Sequence, residues 1–412
     1  MVGTRNPSKF PRRRPDHYRS PQLLMNLPQE LLDEILSYLS SNDKQDQQSL
    51  RNHSLVAKSW VNPARRRLFR TVEIRERTLL LWLDTIPPTN KELLQHIRSL
   101  SYVTNTTAER ATWRPEYRTS VLRDYLPSLH QLRHLSLSSM HISSDIAQQV
   151  DIFSAFRHTL SRLSLDYCNV TISALITLIN HFPSLDWLDL NRPSYEVDGE
   201  PVSPVSRPLI RKLHISDVRG SGFDLLDELS GLGPVFDEIV VGGWLQGYSH
   251  VLGLILGAVG VKAKRLRLLR DIRTYRPAFG SVLLSRCREL RELEIAMAYP
   301  GTKEVDLISS ITSTNIRKIT FTYPPSVQGF SWYDVYWRAF DNPLSLLVGR
   351  LGCKRRLEVE FRILDVEIVE MDGEAGAMVI VNSLAEFREK GQIRVVLIGL
   401  DGSACVVYPP PR

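Results

Sequence analysis

Apolar residues recur along most of this chain in a short motif whose positions 1, 4 and 6 are leucine or another large apolar residue. The middle residues of eight copies, spaced 25 to 28 residues apart, are Leu135, Leu163, Leu188, Leu213, Ile239, Leu266, Leu293 and Ile319. Positions 4 and 6 share one side of a β-strand, so each copy predicts a strand with one apolar side. Two further copies, around Val72 and Leu100, extend the series towards the N-terminus.

The spacing falls within the range of roughly 20 to 29 residues that is typical of a leucine-rich repeat. The copy that begins at Leu160 also has Cys168 and Val170 at the positions where such repeats carry a buried Asn or Cys and then an apolar residue. We therefore predict that Cys168 is a buried structural thiol. The predicted fold class is α/β: a short N-terminal helical domain, then a curved leucine-rich-repeat solenoid with parallel strands inside and helices outside.

The chain is predicted to have four parts. Residues 1–22 are basic and proline-rich and are expected to be a disordered tail. Residues 23–73 are predicted to be the helical domain, and residues 74–365 the repeat solenoid. The regular spacing is lost after Phe361, so residues 366–412 are predicted to be a cap that covers the last apolar face.

The helical domain carries a set of motifs that occur together. These are Leu-Pro-x-Glu-Leu-Leu at residues 27–32, Ser-Leu-Val-Ala-Lys-Ser-Trp at 54–60, and Ala-Arg-Arg-x-Leu-Phe-Arg at 64–70. Together they resemble the F-box-like domains of fungal proteins, and the repeats that follow match the domain order of F-box proteins with leucine-rich repeats. The resemblance implies a substrate-recruiting subunit of a Skp-cullin-type ubiquitin ligase, whose partners would be a Skp-type adaptor, the cullin ligase core and a protein substrate.

A short helical segment cannot bury every side of leucine-rich helices, so part of its apolar surface is available to a partner. The residues expected to bind the adaptor are Leu27, Pro28, Leu31, Leu32, Ile35 and Val56. In the alternative interpretation the chain is a non-catalytic interaction scaffold, and the F-box-like segment only caps the repeat solenoid. Leu36, Leu39, Leu55 and Trp60 are the candidates for packing against the first repeats instead of against an adaptor.

Side chains that alternate with the strand leucines are expected on the inner side of the solenoid, where repeat proteins bind their ligands. The candidate substrate-binding residues are Trp187, Asp189, His214, Arg265 and Arg267. Tryptophan is a frequent interface anchor, although partial burial beneath a neighbouring loop is an equally good interpretation of Trp187. The charges on this side are mixed and indicate no single ligand chemistry.

The formal charge of +7 results largely from the basic tail, so we do not expect nucleic acid to be a partner. Four widely spaced cysteines predict neither a metal site nor a disulfide framework, and no apolar run is long enough to cross a membrane. The motifs of P-loop enzymes, serine hydrolases and zinc peptidases were not found. We therefore expect a non-enzymatic protein without cofactors, located in the cytoplasm, the nucleus or both.

Overall fold

The computed structural model of the chain describes residues 34, 36, 39, 44–53, 58–75, 91–103, 126–142, 150–196, 209–217, 225, 235–242, 256, 260–269, 284–296, 302–323, 337–352, 356–364, 373–398 and 404–409. The chain divides into two compact units, Met1–Thr71 and Val72–Arg412. Each unit is described by itself below. The predicted tail, residues 1–22, lies outside the described residues.

The first unit contains helices α1 (Lys44–His53) and α2 (Lys58–Leu68). Its described core consists of the buried residues Leu36, Leu50 and Ala64, with Leu39 and Leu68 packed against them. Leu36 and Leu39 therefore pack within the first unit, and the described contacts do not test the prediction that they pack against the first repeats. Helix α2 includes Pro63, and three arginines at its C-terminal end, Arg65, Arg66 and Arg67, interact favourably with the helix dipole.

The second unit is built on a sheet of 13 strands within the described residues. In spatial order these are β1 (Thr71–Arg75), β2 (Ser99–Val103), β3 (His134–Ser138), β5 (Arg162–Asp166), β7 (Trp187–Asn191), β9 (Leu209–Ser216), β10 (Val235–Gly242), β11 (Arg265–Leu268), β12 (Glu292–Ala296), β13 (Lys318–Tyr323), β14 (Glu358–Leu364), β15 (Gln392–Ile398) and β16 (Ala404–Tyr408). Strands β2 to β15 pair in parallel, and β16 pairs antiparallel with β15. The mixed α/β class and the large parallel sheet agree with the prediction.

The repeat anchors predicted from spacing are direct register partners in this sheet. Consecutive partners are the predicted anchors Leu100, Leu135, Leu163, Leu188, Leu213, Ile239, Leu266, Leu293 and Ile319, followed by Val359 and Ile393, which were not among the predicted anchors. All of them are buried, as are the apolar residues two positions later in each strand, such as Leu137, Leu165 and Leu190. One apolar row therefore continues from strand to strand, which is how a repeat protein forms a single core from units that have none alone.

The chain turns in the same way after four consecutive strands. Ser139, Tyr167, Arg192 and Asp217 each follow a strand end directly and have positive φ values of 48° to 60°. Their backbone N–H groups donate to the carbonyl at the end of the next strand, for example Ser139 to Asp166 at 2.8 Å and Tyr167 to Asn191 at 2.9 Å. Three short strands, β4 (His141–Ile142), β6 (Asn169–Thr171) and β8 (Ser194–Glu196), follow three of these turns and form a second parallel sheet.

Cys168 lies at one of these turns and is fully buried. Its Sγ donates to the carbonyl of Leu137 at 3.3 Å, in the preceding repeat. Burial raises the pKa of the thiol to about 11, so it stays protonated at neutral pH. The prediction of a buried structural thiol at Cys168 is confirmed.

Helices and 3-10 helices connect the strands and cover the apolar side of the sheet. The α-helices are α3 (Lys91–Leu94), α4 (Ile172–His181), α5 (Thr302–Ser309), α6 (Asp341–Leu351), α7 (Gly373–Ser383) and α8 (Ala385–Lys390), and the 3-10 helices are Leu126–Ser128, Val150–Phe156, Leu284–Arg286 and Trp337–Phe340. Phe153, Phe156 and Phe182 pack edge to face or stacked between two such connections. Helix α4 is capped by Thr171, whose Oγ1 accepts from the N–H of Ala174.

The C-terminal part extends the stack further than the repeat spacing predicts. Strand β15 pairs with β14 in the same parallel register, with Phe361 opposite Val395. The α7 and α8 helices lie between β14 and β15 in the chain, so Val359 and Ile393 are 34 residues apart, more than the 25 to 28 residues of the regular repeats, although the pairing is unchanged. The antiparallel strand β16 then covers the free edge of β15.

Candidate protein-interaction face

The side chains on either side of each anchor share one side of the sheet, which we call the polar face. Its first row, one residue before each anchor, contains His134, Arg162, Trp187, Lys212, Glu238, Arg265, Glu292, Lys318 and Glu358. Its middle row, one residue after each anchor, contains Ser136, Ser164, Asp189, His214, Val240, Arg267, Glu294, Thr320 and Glu360. Neighbours within a row lie on strands about 4.8 Å apart, so their side chains contact one another.

Asp189 is the centre of the best-connected part of this face and is only 5% exposed. Its Oδ2 accepts from Ser164 Oγ at 2.7 Å and from Arg162 Nε at 2.8 Å. Its Oδ1 accepts from Trp187 Nε1 at 2.7 Å and lies 3.0 Å from His214 Nδ1. Burial acts to raise the pKa of this carboxyl, but the hydrogen bonds from His214, Ser164 and Arg162 outweigh burial and hold the pKa well below its usual range. Asp189 is therefore a carboxylate that joins three strands.

The indole ring of Trp187 lies between two cations. The guanidinium carbon of Arg162, on strand β5, is 3.7 Å from the ring centroid, and Nζ of Lys212, on strand β9, is 4.1 Å from it. The two cations come from the strands on opposite sides of β7. Cation–π attraction of this kind fixes the ring and leaves its edge, rather than its faces, for a partner.

His134 is held between two hydroxyl groups. Its Nδ1 lies 3.1 Å from Ser99 Oγ and its Nε2 lies 3.0 Å from Ser164 Oγ. Because Ser164 gives its own proton to Asp189, its oxygen must accept from His134, which places the imidazole proton on Nε2. Burial and then the nearby Arg162 lower the pKa of His134 to about 4, against a smaller raising effect of Asp189. The imidazole is therefore neutral at physiological pH.

A third row of polar residues stands at the strand ends. Asp166 accepts from Asn191 Nδ2 at 2.5 Å and from Ser138 Oγ at 3.4 Å, and Asn191 Oδ1 accepts from Ser216 Oγ at 2.7 Å. Burial raises the pKa of Asp166 despite the opposing charge of Arg192. These bonds link four consecutive strands, β3, β5, β7 and β9, through side chains alone.

From β9 onward the first row alternates in charge, and ion pairs connect neighbouring strands. The pairs are Lys212–Glu238 at 3.1 Å, Arg265–Glu292 at 3.0 Å, Arg267–Glu294 at 2.7 Å, Lys318–Glu358 at 3.1 Å and Lys318–Glu360 at 2.8 Å. The hydrogen bond to Glu294 raises the pKa of Arg267 above its ordinary value. Most charge on this half of the polar face is therefore neutralised within the sheet.

Glu360 is the buried carboxylate of this half, at 2% exposed. It pairs with Lys318, with Arg362 and, at 3.4 Å, with Arg394. Burial would raise the pKa of Glu360, but the hydrogen bonds from Lys318 and Arg362 outweigh burial and lower it. Asp189 and Glu360 thus play a similar part on different strands: each is a buried carboxylate that accepts hydrogen bonds from several side chains and fixes their positions.

The serine, histidine and aspartate of the polar face are not arranged as in a serine hydrolase. In a hydrolase the carboxylate orients the histidine and the histidine accepts the serine proton. Here Ser164 donates directly to Asp189, and His134 donates to Ser164. No group of three or more His, Cys, Asp or Glu side chains among the described residues could hold a metal ion. The arrangement is suited to presenting fixed charges and hydrogen-bonding groups.

Three of the five residues predicted to bind substrate come together. Trp187, Asp189 and His214 form one hydrogen-bonded cluster, whereas Arg265 and Arg267 stand on β11 and pair with glutamates of β12. The six residues predicted to bind the adaptor, Leu27, Pro28, Leu31, Leu32, Ile35 and Val56, lie outside the described residues. Sequence reasoning did not single out Arg162 and Lys212 as the partners of Trp187, although both stand at its register position in adjacent copies.

No model of a known protein family matches the chain, and no curated protein matches it by sequence. Among solved structures it is similar to the yeast complex of Rad7 and Elc1, at 13% identity and a TM-score of 0.31, over 86% of this chain and 84% of that chain. A likeness at that TM-score carries no argument about fold or function. Within the part of the chain that the structure describes, no helix is both long enough and apolar enough to span a bilayer.

Proposed function

We propose that the chain is a non-catalytic, substrate-recruiting subunit of a Skp-cullin-type ubiquitin ligase. In this proposal the F-box-like segment binds a Skp-type adaptor and the polar face binds a protein substrate. The observation that carries the substrate-binding half is the in-register polar face, which presents fixed charged and hydrogen-bonding groups over consecutive parallel strands. The adaptor-binding half rests on the F-box-like motifs.

The chemistry of the polar face favours a protein ligand. Its charges alternate in sign and are largely paired, so it attracts no single small ion, but it can distinguish partners by the pattern of charge that they present. The side chains are already held by hydrogen bonds and ion pairs, so little further ordering is needed on binding. In this proposal the chain promotes ubiquitin transfer only by holding a substrate near the transferred ubiquitin.

The core of the first unit supports a choice of adaptor-binding residues. Leu36 is buried in that core, Leu39 is half-buried against it, and Glu34 is exposed. Helical spacing predicts that Leu32 shares the side of Leu36, whereas Ile35 lies about 100° and Leu31 about 140° round the helix from Leu36. Leu31 and Ile35 are therefore the residues whose truncation should affect a partner more than the core.

The adaptor half can be tested by co-expression with a Skp-type adaptor and size-exclusion chromatography. We expect the full chain to co-elute with the adaptor and the double variant Leu31→Ala/Ile35→Ala to elute without it, with an unchanged thermal unfolding midpoint. Leu346→Ala, a leucine 60% exposed on α6, is the matched control and should keep the complex.

The capping alternative gives the opposite results. If the F-box-like segment only seals the solenoid, the adaptor will not co-elute with the unmodified chain, and Leu31→Ala/Ile35→Ala will lower the unfolding midpoint. Either a persistent complex with the double variant or no complex with the unmodified chain would contradict adaptor binding through these residues.

A further inference from the structure

A further row of residues, two positions before the anchors, lies at the amino ends of the strands, and most of its members are basic. The basic members are Arg98, Arg133, Arg211, Lys264, Arg291 and Arg317. The backbone fixes its position from strand to strand: the N–H of Arg291 donates to the carbonyl of Lys264 at 2.7 Å, and that of Arg317 to the carbonyl of Arg291 at 2.7 Å. We call Arg211, Arg291 and Arg317 the arginine row.

The arginine row lines an open depression of about 290 Å³ at the amino ends of β9 to β13. Its other lining residues are Asp237, Glu238, Lys264, Arg265 and Glu292. The three acidic members are already paired: Asp237 with Lys264 at 2.7 Å, Glu292 with Arg265 at 3.0 Å, and Glu238 with Lys212 of the polar face. Among the described residues, no carboxylate forms an ion pair with Arg211, Arg291 or Arg317, and all three are exposed. The lining therefore carries five positive and three negative charges, and because Lys212 outside it pairs with Glu238, the three arginines are left without a carboxylate partner among the described residues.

We propose that the arginine row binds an extended acidic segment of a protein partner. The proposal deepens the proposed function, on which it rests, by giving the chemical class of the substrate segment. Arginine offers a planar fork of donors that matches a carboxylate, and surplus guanidinium groups on a fixed backbone are prepared for such a ligand.

The spacing of the arginines defines a pattern of acidic residues. Arg291 and Arg317 directly precede the adjacent strands β12 and β13, about 4.8 Å apart, and Arg211 is on β9, three strands from β12 and about 14 Å away. An extended peptide rises about 3.4 Å per residue, so carboxylates about four residues apart span the longer distance and carboxylates within two residues span the shorter. The expected pattern is Glu-x-x-x-Glu-x-Glu or its reverse.

A protein segment fits the depression better than a nucleic acid. Asp237, Glu238 and Glu292 stand between the arginines and would repel a continuous phosphate backbone, whereas a peptide can place neutral or basic residues opposite them. The described lining also includes no aromatic side chain on which a base could stack.

The test uses the full chain and two fluorescein-labelled 12-residue peptides, which carry Glu in the pattern above and in its reverse on a Gly/Ser background. We expect fluorescence anisotropy to show saturable binding of at least one peptide, weakened at least tenfold by Gln in place of Glu and progressively weakened by added salt. The double variant Arg291→Glu/Arg317→Glu should lose at least tenfold in affinity. Arg350→Glu/Arg388→Glu, which changes the same charge on exposed residues of α6 and α8, should bind as the unmodified chain does.

A charge-swapped pair separates binding from folding. The Arg291→Glu/Arg317→Glu variant should bind the same peptide with Lys in place of Glu, which the unmodified chain should not bind. No binding of either Glu peptide, equal weakening by the control variant, or equal competition by a 12-residue uridine RNA would overturn the proposal.

Co-elution with the adaptor, measured on the same Arg291→Glu/Arg317→Glu variant, keeps this inference separate from the proposed function. The adaptor should still co-elute, because the substitutions lie in the second unit and not in the F-box-like segment. If the adaptor binds and the peptides do not, only the acidic-segment proposal is wrong. If the peptides bind and the adaptor does not, the proposed function is wrong and the peptide site stands.

Discussion

At the scale of single residues, the role of Asp189 could not be derived from the sequence alone. Strand alternation correctly placed Asp189 and His214 on the polar side, because that requires only their position relative to the anchors. Burial of Asp189 depends on Arg162, Trp187 and Ser164, which all donate hydrogen bonds to its carboxylate. Such contacts depend on rotamers and neighbours that spacing does not encode.

The substitution Asp189→Asn tests this assignment. It removes the charge that neutralises Arg162 and an acceptor for several donors, so we expect it to lower the free energy of unfolding by about 2 to 3 kcal/mol. Urea unfolding monitored by circular dichroism would measure the change. Asp186→Asn, an exposed aspartate three residues earlier, should change stability by less than about 0.5 kcal/mol. Equal effects of the two substitutions would contradict the role of Asp189.

The lowered pKa of His134 predicts a pH dependence of stability. The folded pKa is about 4, and that of an unfolded histidine is about 6.5. Between these values the unfolded chain binds more protons, so this contribution to stability is complete above about pH 6.5 and is lost as pH falls towards 4. The unmodified chain should therefore lose unfolding free energy relative to His134→Gln as pH falls from about 6.5 to about 4.

Urea titrations at several pH values between 7 and 4 would measure this difference. His130→Gln, at an exposed histidine, is the control for removal of an imidazole elsewhere. A difference between the unmodified chain and His134→Gln that does not change with pH would show that His134 titrates as an ordinary exposed histidine.

At the scale of elements, spacing predicted the strands and their register because every anchor has to enter the same apolar core. The ten anchors from Val72 to Ile319 all lie in strands of the sheet. Spacing did not predict that β15 continues the parallel register, because α7 and α8 lengthen the preceding connection, or that β16 pairs antiparallel. Nor did it predict the short sheet of β4, β6 and β8, whose strands have only two or three residues. The arginine row was missed too, although a basic residue two positions before most anchors was a visible signal.

The substitution Leu188→Ala tests the importance of the anchors. Leu188 is fully buried and is in register with Leu163 and Leu213, so the cavity left by truncation should cost about 2 to 5 kcal/mol of unfolding free energy. Leu346→Ala removes the same atoms from an exposed leucine and should cost less than about 0.5 kcal/mol. Chemical denaturation of both variants would measure the costs, and similar values would contradict a continuous core at Leu188.

At the scale of the whole molecule, the chain divides into two units, and we propose that each binds a different partner. The first unit buries Leu36, Leu50 and Ala64 and carries the F-box-like motifs, which predict an apolar contact with an adaptor. The second unit presents the polar face and the surplus charge of the arginine row. A division of this kind would let one protein bind two partners through contacts that can be disrupted separately.

The most direct test of the account is a crossed comparison of two variants and two partners. Material captured with the full chain, with Leu31→Ala/Ile35→Ala and with Arg291→Glu/Arg317→Glu would be compared by quantitative mass spectrometry. We predict that the first variant loses the Skp-type adaptor and keeps proteins with acidic segments, and that the second keeps the adaptor and loses those proteins. Retention of the adaptor by the first variant, or loss of both partners from either variant, would contradict two separate binding surfaces.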